Sequence, residues 1–278
     1  MMKEWTRYSW AKLSITTNHV SLVALSFLFY NFQRSSYQIL SAYIAAVICE
    51  IILFKLTKRY PKDKISNRVF SAITESAGLL LLIRSLDDNY YIWGSIIAVS
   101  SKYFLLDKQG RHIFNPTNLA IVATIAFSDF GTITMRPDEF NYHSFPVLHV
   151  LFFGVAAAVL AKVAIIPMTY LATFAVFGLV FSGVGNLGNF VDIVGPEIGA
   201  TGLIFIFLMI TDPATCPRTM WGRVIFAVAV ASLTFLGRTY TLAFANYISL
   251  FAVYTLYGGV KFVRDLKVIE KSPVLAPK

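Results

Sequence analysis

The chain reads Gly110-Arg111-His112-Ile113-Phe114-Asn115-Pro116-Thr117-Asn118 where a basic, polar connector meets the apolar run 119–127. A proline in the first helical turn removes no hydrogen bond that the helix needs, and an asparagine just before it can cap the free backbone amides. This stretch therefore predicts a helix that begins near Pro116 with Asn115 as its cap. It also gathers carboxamides, a hydroxyl and an imidazole at the point where the chain enters an apolar environment.

The composition of the whole chain is typical of a membrane protein. Of its 278 residues, 56% are hydrophobic and only 14% are charged, whereas a soluble domain has about 25% charged residues. The formal net charge of +9 does not indicate a nucleic-acid partner, because the basic residues are scattered among apolar segments and form no basic stripe with interleaved aromatic residues. We therefore expect an all-α integral membrane protein with the lipid bilayer as its partner, and no nucleic acid.

Ten segments of the sequence are candidates for membrane spans. A helix needs about 20 mostly apolar residues to cross a bilayer, and fewer where its polar groups face the interior of a bundle. The candidates are 15–32, 37–55, 69–84, 90–105, 115–128, 145–161, 163–182, 197–212, 221–236 and 240–260. The third and the eighth are short and polar.

The basic residues indicate the topology, because Lys and Arg concentrate on the cytoplasmic side of membrane proteins. With ten spans and a cytoplasmic N-terminus, all but four of the 24 Lys and Arg residues lie on that side; the exceptions are Arg34, Arg84, Arg136 and Arg238. We therefore expect a multi-pass protein of the inner (plasma) membrane with both termini in the cytoplasm.

Ten spans also divide into two sets of five, and a repeat with an odd number of spans must be inverted in the membrane. The fifth and tenth spans open alike, with Phe114-Asn115-Pro116 and Phe244-Ala245-Asn246. The sequence thus predicts two inverted five-helix repeats. The expected organisation is a cytoplasmic segment 1–14, a first repeat 15–130, an external connector 131–144, a second repeat 145–260 and a cytoplasmic tail 261–278.

Three acidic residues fall within the candidate spans: Glu50, Glu75 and Asp212. A charged side chain is costly inside a bilayer and usually has a function there. The predicted topology places all three towards the cytoplasmic side, in the same layer as Asn115, where carboxylates could hold a cation or relay protons. The alternative is that each acid caps a helix or pairs with a basic residue at the interface, the candidates being Lys55, Arg68 and Arg218.

Asn115 also has the chemistry to contact a planar heterocycle. A carboxamide offers one donor and one acceptor side, which matches the alternating N–H and C=O edge of a uracil-like ring such as that of a flavin. Phe114, Tyr103 and Trp93 are candidates for aromatic walls around such a ring. The alternative is that this stretch is only a well-capped helix start.

Several motifs together resemble one family. They are Ala46-Val47-Ile48-Cys49-Glu50, Ser71-Ala72-Ile73-Thr74-Glu75 with the leucines after it, Phe114-Asn115-Pro116, and Phe207-Leu208-Met209-Ile210-Thr211-Asp212-Pro213. In order and spacing the chain is similar to a family of homologous membrane proteins shared by the sodium-pumping NADH:quinone oxidoreductase and the Rnf electron-transport complex. It looks especially similar to stand-alone relatives found near enediyne biosynthesis genes.

This resemblance implies a fold of ten helices in two inverted repeats and a non-covalent riboflavin or FMN. It implies flavin contacts at Asn115, at Thr74 and at His112, a position that is asparagine in the sodium pump. Asn118, the last residue of the Asn-Pro-x-Asn pattern, completes the candidate flavin set. Glu50 and Asp212 match acids linked to cation uptake, and Glu75 joins them as a candidate cation ligand.

Covalently attached FMN is not expected. Family members that carry it use the threonine of a Ser-Gly-Ala-Thr motif between the fifth and sixth spans, and the connector 128–136 of this chain lacks that motif. Gly199-Ala200-Thr201 is similar but precedes the eighth span. No threonine is therefore assigned to covalent FMN, and electron transfer across the membrane through this chain alone is not expected either.

The resemblance implies an oxidoreductase subunit: a flavin-binding membrane protein of an electron-transport system, coupled to cation translocation and working with other redox subunits. Two alternatives stay open from the residues. One is a non-redox transporter of small solutes or ions, or a channel-like protein, on the same scaffold. The other is a structural or assembly subunit in which the acids only pair and cap.

Overall fold

The protein is described by a computed structural model that covers residues 4–30, 32–60, 63–107, 109–128, 133–134, 144–182 and 187–271. Its helices are α1 (Glu4–Phe29), α2 (Ser36–Thr57), α3 (Ile65–Leu82), α4 (Asn89–Phe104), α5 (Pro116–Phe127), α6 (Ser144–Leu160), α7 (Ile165–Phe181), α8 (Leu187–Ile198), α9 (Ala200–Ile204), α10 (Met220–Thr239) and α11 (Ala245–Lys271). A π-helical turn, Phe205–Met209, extends α9. The predicted all-α class is confirmed.

Two short strands, β1 (Arg84–Ser85) and β2 (Ile133–Thr134), form an antiparallel pair that the sequence did not predict. Most of the predicted external connector 131–144 and the end of the predicted tail 261–278 lie outside the described residues. So does most of the connector 128–136 that was considered for covalent FMN.

The beginnings of the helices follow local sequence signals. Ser35 forms a capping box with Gln38 at the start of α2. Asn115 caps α5, since its Oδ1 accepts a hydrogen bond of 3.0 Å from the backbone N–H of Asn118. The predicted helix start at Pro116 is therefore confirmed.

The predicted eighth span, 197–212, differs most from the structure. The chain forms two helices, α8 and α9, whose axes are bent by 51° at Gly199. Pro196 lies inside the last turn of α8, where it cannot donate a backbone hydrogen bond. At Gly202 a Cβ atom would lie only 2.4 Å from the carbonyl oxygen of Pro196, so the close approach of the two helices requires glycine there.

The side chains of α2 are distributed as in a helix that faces lipid. Gln38, Ala42, Ala46 and Glu50 are buried against the protein. The opposite face is apolar and exposed, with Tyr37, Leu40, Ile44, Ile48, Ile52 and Leu56 between 49% and 74% exposed. Water would oppose this arrangement and a hydrocarbon phase favours it.

Among the described residues, α2 and α10 are long and apolar enough to cross a membrane, and the bent pair of α8 with α9 and its π-helical turn makes a third candidate. The helices α5, α6 and α7 are apolar but shorter, with 12 to 17 residues. In the part of the chain that the structure describes, length and composition thus show two or three helices able to cross a membrane, and they do not show the ten expected spans.

The packing brings the two halves of the chain together. In the first half, α2 packs on α3 and α4, α4 on α5, and α1 on α3. In the second half, α7 packs on α8 and α10, α10 on α11, and α6 on α9. The two halves meet where α1 packs on α6 and where α5 packs on α11, so the start of α5 lies at their boundary.

Candidate functional site

The carboxamide of Asn115 connects the two halves of the chain. While its Oδ1 caps α5, its Nδ2 donates to Oδ2 of Asp212 over 3.4 Å. The two residues are 97 positions apart, and both were predicted site residues. The fold therefore brings together two members of the candidate site, and one N–H and the oxygen of the Asn115 carboxamide form hydrogen bonds within the protein.

Asp212 lies in the turn that follows the π-helical segment, outside the helices. Its Oδ1 accepts a hydrogen bond of 2.9 Å from the backbone N–H of Ala214, and Pro213 disfavours a helical conformation at Asp212. Burial raises the pKa of the Asp212 carboxyl to about 6, and the nearby charge of Glu75 also raises it. This carboxyl can therefore change its charge close to neutral pH.

Glu75 is held by the first turn of α5, the turn that Asn115 caps. The hydroxyl of Thr117, the second residue of α5, donates to Oε2 of Glu75 over 2.8 Å. The first turn of α5 thus binds both acids, with the Asn115 carboxamide on Asp212 and the Thr117 hydroxyl on Glu75. Thr117 was not among the predicted site residues, although it lies in the stretch that indicated the site.

Asn118 differs from Asn115 in having no partner for its side chain. The residue is fully buried, and neither Oδ1 nor Nδ2 of its carboxamide has a hydrogen-bond partner among the described residues. Asn18 of α1 is in the same condition. Buried polar groups are nearly always paired, because an unpaired group gives up its hydrogen bonds with water. A carboxamide that is buried and unpaired calls for a water molecule or a ligand.

Helices α1, α3 and α5 meet close to Asn118. A Cβ atom added to Gly78 of α3 would lie 3.0 Å from Cγ2 of Thr117 and 3.3 Å from Nε2 of His19. His19, on α1, follows Asn18 directly. Glycine at position 78 therefore lets three helices carrying polar side chains approach one another in the interior.

Thr74 contacts α1. Its hydroxyl donates to the carbonyl oxygen of Phe70 over 2.8 Å and lies 2.8 Å from the hydroxyl of Thr16. Its single hydroxyl proton is therefore already used. The structure places Thr74 next to Glu75, as the chain requires, but its hydroxyl has no donor left for a ligand.

His112 precedes α5 and pairs with Leu106 in an isolated antiparallel bridge. Its Nδ1 is buried and has no hydrogen-bond partner among the described residues. Burial, together with the nearby positive charges of Lys102 and Arg68, lowers the pKa of His112 to about 4. His112 is therefore neutral at physiological pH and keeps one nitrogen able to donate and one able to accept.

Glu50 lies in a separate, fully buried cluster. One oxygen of its carboxylate is 2.9 Å from Nε of Arg68, and the other is 3.0 Å from Nζ of Lys102. Its Oε1 also accepts a hydrogen bond from the hydroxyl of Tyr103, and the guanidinium of Arg68 stacks on the ring of Tyr60. The Glu50 carboxylate thus faces two positive charges, and Arg68 also lies 3.8 Å from the carboxylate of Asp63, an exposed residue at the edge of the cluster.

This cluster bears on the prediction that Glu50 binds a cation. Both oxygens of the Glu50 carboxylate already face a cationic group, and the Arg68 guanidinium and Lys102 ammonium groups would repel a further cation at that place. The structure thus supports the alternative interpretation, in which Glu50 pairs with Arg68. Sequence reasoning missed Lys102 as a partner, although a lysine in the last turn of an apolar helix was a visible signal.

The proposed aromatic walls lie in different surroundings. Tyr103 belongs to the Glu50 cluster, and Trp93 is 60% exposed. Phe114 stacks on Phe251 of α11, with ring centres 5.1 Å apart. Phe114 therefore helps to hold the two halves together, while Tyr103 and Trp93 are not placed as walls of one ring site.

No group of three His, Cys, Asp or Glu side chains that could hold a metal ion occurs in the part of the chain that the structure describes. The site that the structure assembles consists of Asn115, Asp212, Thr117 and Glu75, with the unpaired groups of Asn118 and His112 on either side in sequence. Neither a protein-family model nor a curated protein matches the chain.

Proposed function

We propose that the chain is a flavin-binding subunit of a membrane electron-transport system. The observation that carries this proposal is the Asn118 carboxamide, which is buried with both its donor and its acceptor unpaired among the described residues. The pyrimidine edge of a flavin presents a C=O beside an N–H, so one carboxamide can satisfy both groups and be satisfied in return. His112, in the connector just before α5, supplies a second buried nitrogen that has no hydrogen-bond partner among the described residues.

In this proposal Asn115 has a positioning role. Its carboxamide caps α5 and holds Asp212, so it fixes the helix turn that carries Asn118. The flavin is riboflavin or FMN, held without a covalent bond, and other redox subunits supply and accept its electrons. Thr74 positions α3 against α1 through its contact with Thr16.

The scaffold we propose has ten transmembrane helices in two inverted repeats, α1–α5 and α6–α11, with α8 and α9 together as a broken eighth span. The equivalent packing of the second helix on the third and fourth, and of the fourth on the fifth, in both halves supports this assignment. Each half also has a buried acid paired with a base near the C-terminal end of its fourth helix, Glu50 with Lys102 and Glu197 with Arg238. The protein would lie in the inner membrane with both termini in the cytoplasm.

Coupling to cation movement would use Asp212 and Glu75. Both are held by the first turn of α5, next to Asn118, so a change in the charge of a bound flavin would act on them at short range. A raised pKa allows Asp212 to take up or release a proton, or to exchange it for a cation, near neutral pH. Glu50 has no part in this step, because Arg68 and Lys102 already neutralise it.

Absorption spectroscopy tests the proposal. The purified protein should show flavin absorbance, or acquire it when riboflavin or FMN is added, and acid denaturation should release all the flavin from the chain. Asn118→Leu should abolish binding, whereas Asn89→Leu, at an exposed position at the start of α4, should leave it intact. A colourless protein that binds neither flavin would disprove the redox function.

One observation favours a second candidate, a non-redox transporter of small solutes or ions. The eighth span is broken at Gly199, and discontinuous helices form the substrate sites of many transporters. This candidate predicts solute or ion flux into proteoliposomes without any flavin. Flux that depends on reduced flavin would instead support the first proposal.

A further inference from the structure

A second buried polar cluster lies in the other half of the chain, away from the first turn of α5. Nη2 of Arg238, near the end of α10, is 2.5 Å from Oε1 of Glu197, near the end of α8. The same Nη2 donates to Oδ1 of Asn246 in α11 over 3.0 Å. Glu197 is fully buried and Asn246 is 4% exposed. The functional site described above uses none of these residues.

A cavity of about 410 Å³ opens beside this cluster. Its volume falls within the roughly 300–1,000 Å³ that is usual for small-molecule sites. Phe174, Phe235 and Tyr247 supply aromatic walls, and Ile193 and Pro196 of α8 cover one side. An apolar cavity of this size would favour a ligand with an aromatic body.

Two unpaired hydrogen-bonding groups belong to residues that line the cavity. Thr201 is 4% exposed, and its hydroxyl has no partner among the described residues. Nη1 of Arg238 is likewise buried and unpaired there, although Nη2 of the same guanidinium is occupied. A guanidinium N–H can only donate, and a threonine hydroxyl can donate as well. Two residues that line the cavity thus each have a buried donor without a partner among the described residues.

The charge balance selects between charged and uncharged ligands. Glu197 pairs with Arg238, and the other acidic or basic residue among the described residues that line the cavity is Asp192, which is exposed. A carboxylate ligand would therefore add a second negative charge beside Glu197 in a buried place, which is costly. An uncharged acceptor such as a ketone or an amide carbonyl avoids that cost.

From these observations we propose that the cavity between α7, α8, α10 and α11 binds an uncharged aromatic carbonyl compound. Its carbonyl oxygen accepts hydrogen bonds from Thr201 and Arg238, and its ring lies against Phe174 and Phe235. This binding site is separate from the proposed flavin site and does not depend on it.

Benzophenone is a suitable probe, because it is an uncharged diaryl ketone that crosslinks to neighbouring C–H groups under ultraviolet light. The full-length protein in detergent is irradiated with benzophenone, digested and analysed by mass spectrometry. We expect crosslinks on peptides that contain Phe174, Ile193 or Phe235. An excess of acetophenone should suppress them, whereas ethylbenzene, which lacks the acceptor, and benzoate, which is charged, should not.

Substitution of Thr201 then tests the hydrogen bond. Thr201→Val removes the hydroxyl while keeping the shape, and should weaken binding about fivefold, as expected for the loss of one hydrogen bond. Thr201→Ser restores the hydroxyl and should restore crosslinking. Thr239→Val is the matched control, because Thr239 also lines the cavity but its hydroxyl already donates to the carbonyl oxygen of Phe235.

Three results would overturn the proposal. The first is equal crosslinking of the Thr201→Val variant and the unmodified protein. The second is competition by benzoate as strong as that by acetophenone, which would show an anion site. The third is crosslinks that map only outside this cavity. Flavin absorbance is measured on the same samples, so that loss of one site is distinguished from loss of the other.

Discussion

Replacing Asn118 with leucine should make the ligand-free protein more stable while it abolishes flavin binding. Leucine has nearly the same shape as asparagine, but it carries no hydrogen-bonding group. Both polar atoms of the Asn118 side chain are buried and have no partner among the described residues, so the native residue gives up its hydrogen bonds with water and gains none in return. An ordinary buried asparagine, paired within the protein, would show the opposite effect.

The magnitude follows from the two unpaired atoms. Leaving a buried donor or acceptor unsatisfied costs about 1–3 kcal/mol. Leucine removes this cost at two atoms but packs less well than the native side chain. The net effect is a stabilisation of the ligand-free protein on the order of 2 kcal/mol. Saturating riboflavin should stabilise the unmodified protein further, by an amount that grows with ligand concentration, and should leave the variant unchanged.

Thermal unfolding in detergent, followed by tryptophan fluorescence, measures both effects in one experiment. The control is Asn89→Leu, at an exposed position, which should change neither the ligand-free midpoint nor its response to riboflavin. A lower midpoint for Asn118→Leu without ligand would show that this carboxamide is paired or hydrated. The assignment of Asn118 to the flavin would then be refuted.

Four further predictions concern other residues of the structure. Infrared difference spectroscopy against Asp212→Asn identifies the carboxylic acid C=O band of Asp212, which should disappear as the pH rises through about 6. The pKa of Asp212 in the folded protein lies above its ordinary value, so the stability that this carboxyl contributes at low pH should be lost over the same pH range. Asn115→Ser keeps a helix cap but removes the hydrogen-bond donor to Asp212, so the pH at which the Asp212 band disappears should rise. An unchanged pH for this transition would contradict the contact between Asn115 and Asp212. Glu50→Gln leaves Lys102 without its counter-charge and leaves Arg68 with only the more distant Asp63, so it should lower the free energy of unfolding by about 3–5 kcal/mol. A second change, Lys102→Met, should restore part of this loss, and denaturant titration measures both. Gly202→Ala should lower the thermal midpoint because its Cβ would lie 2.4 Å from a backbone oxygen, while Gly195→Ala, where the nearest atom is 3.7 Å away, should not.

The helices are the part of this protein that local sequence patterns predict well. Each of the ten predicted apolar segments overlaps at least one helix, since segment length, apolar content and caps such as Ser35 and Asn115 act over a few neighbouring residues. The eighth segment, 197–212, left out most of α8, the helix that precedes the bend at Gly199. Pro196 and Gly202 were visible as helix-disturbing residues, but the 51° bend depends on how closely α9 approaches the end of α8.

The candidate site was predictable in its members but not in its pairings. A charge in an apolar segment must be neutralised or used, so Glu50, Glu75 and Asp212 could be singled out from the sequence. Which group neutralises which depends on contacts between residues far apart in the chain. Glu50 meets Lys102 because α2 packs on α4, and Thr117 meets Glu75 because α5 packs on α3.

The opening stretch around Asn115 shows the same division. That Asn115 caps a helix beginning at Pro116 follows from the chemistry of four consecutive residues. That Asn115 holds Asp212, while Asn118 one turn later is buried with no partner among the described residues, follows from the meeting of the two halves of the chain at α5 and α11. Backbone capping is local, whereas the burial and pairing of a side chain depend on everything that packs around it.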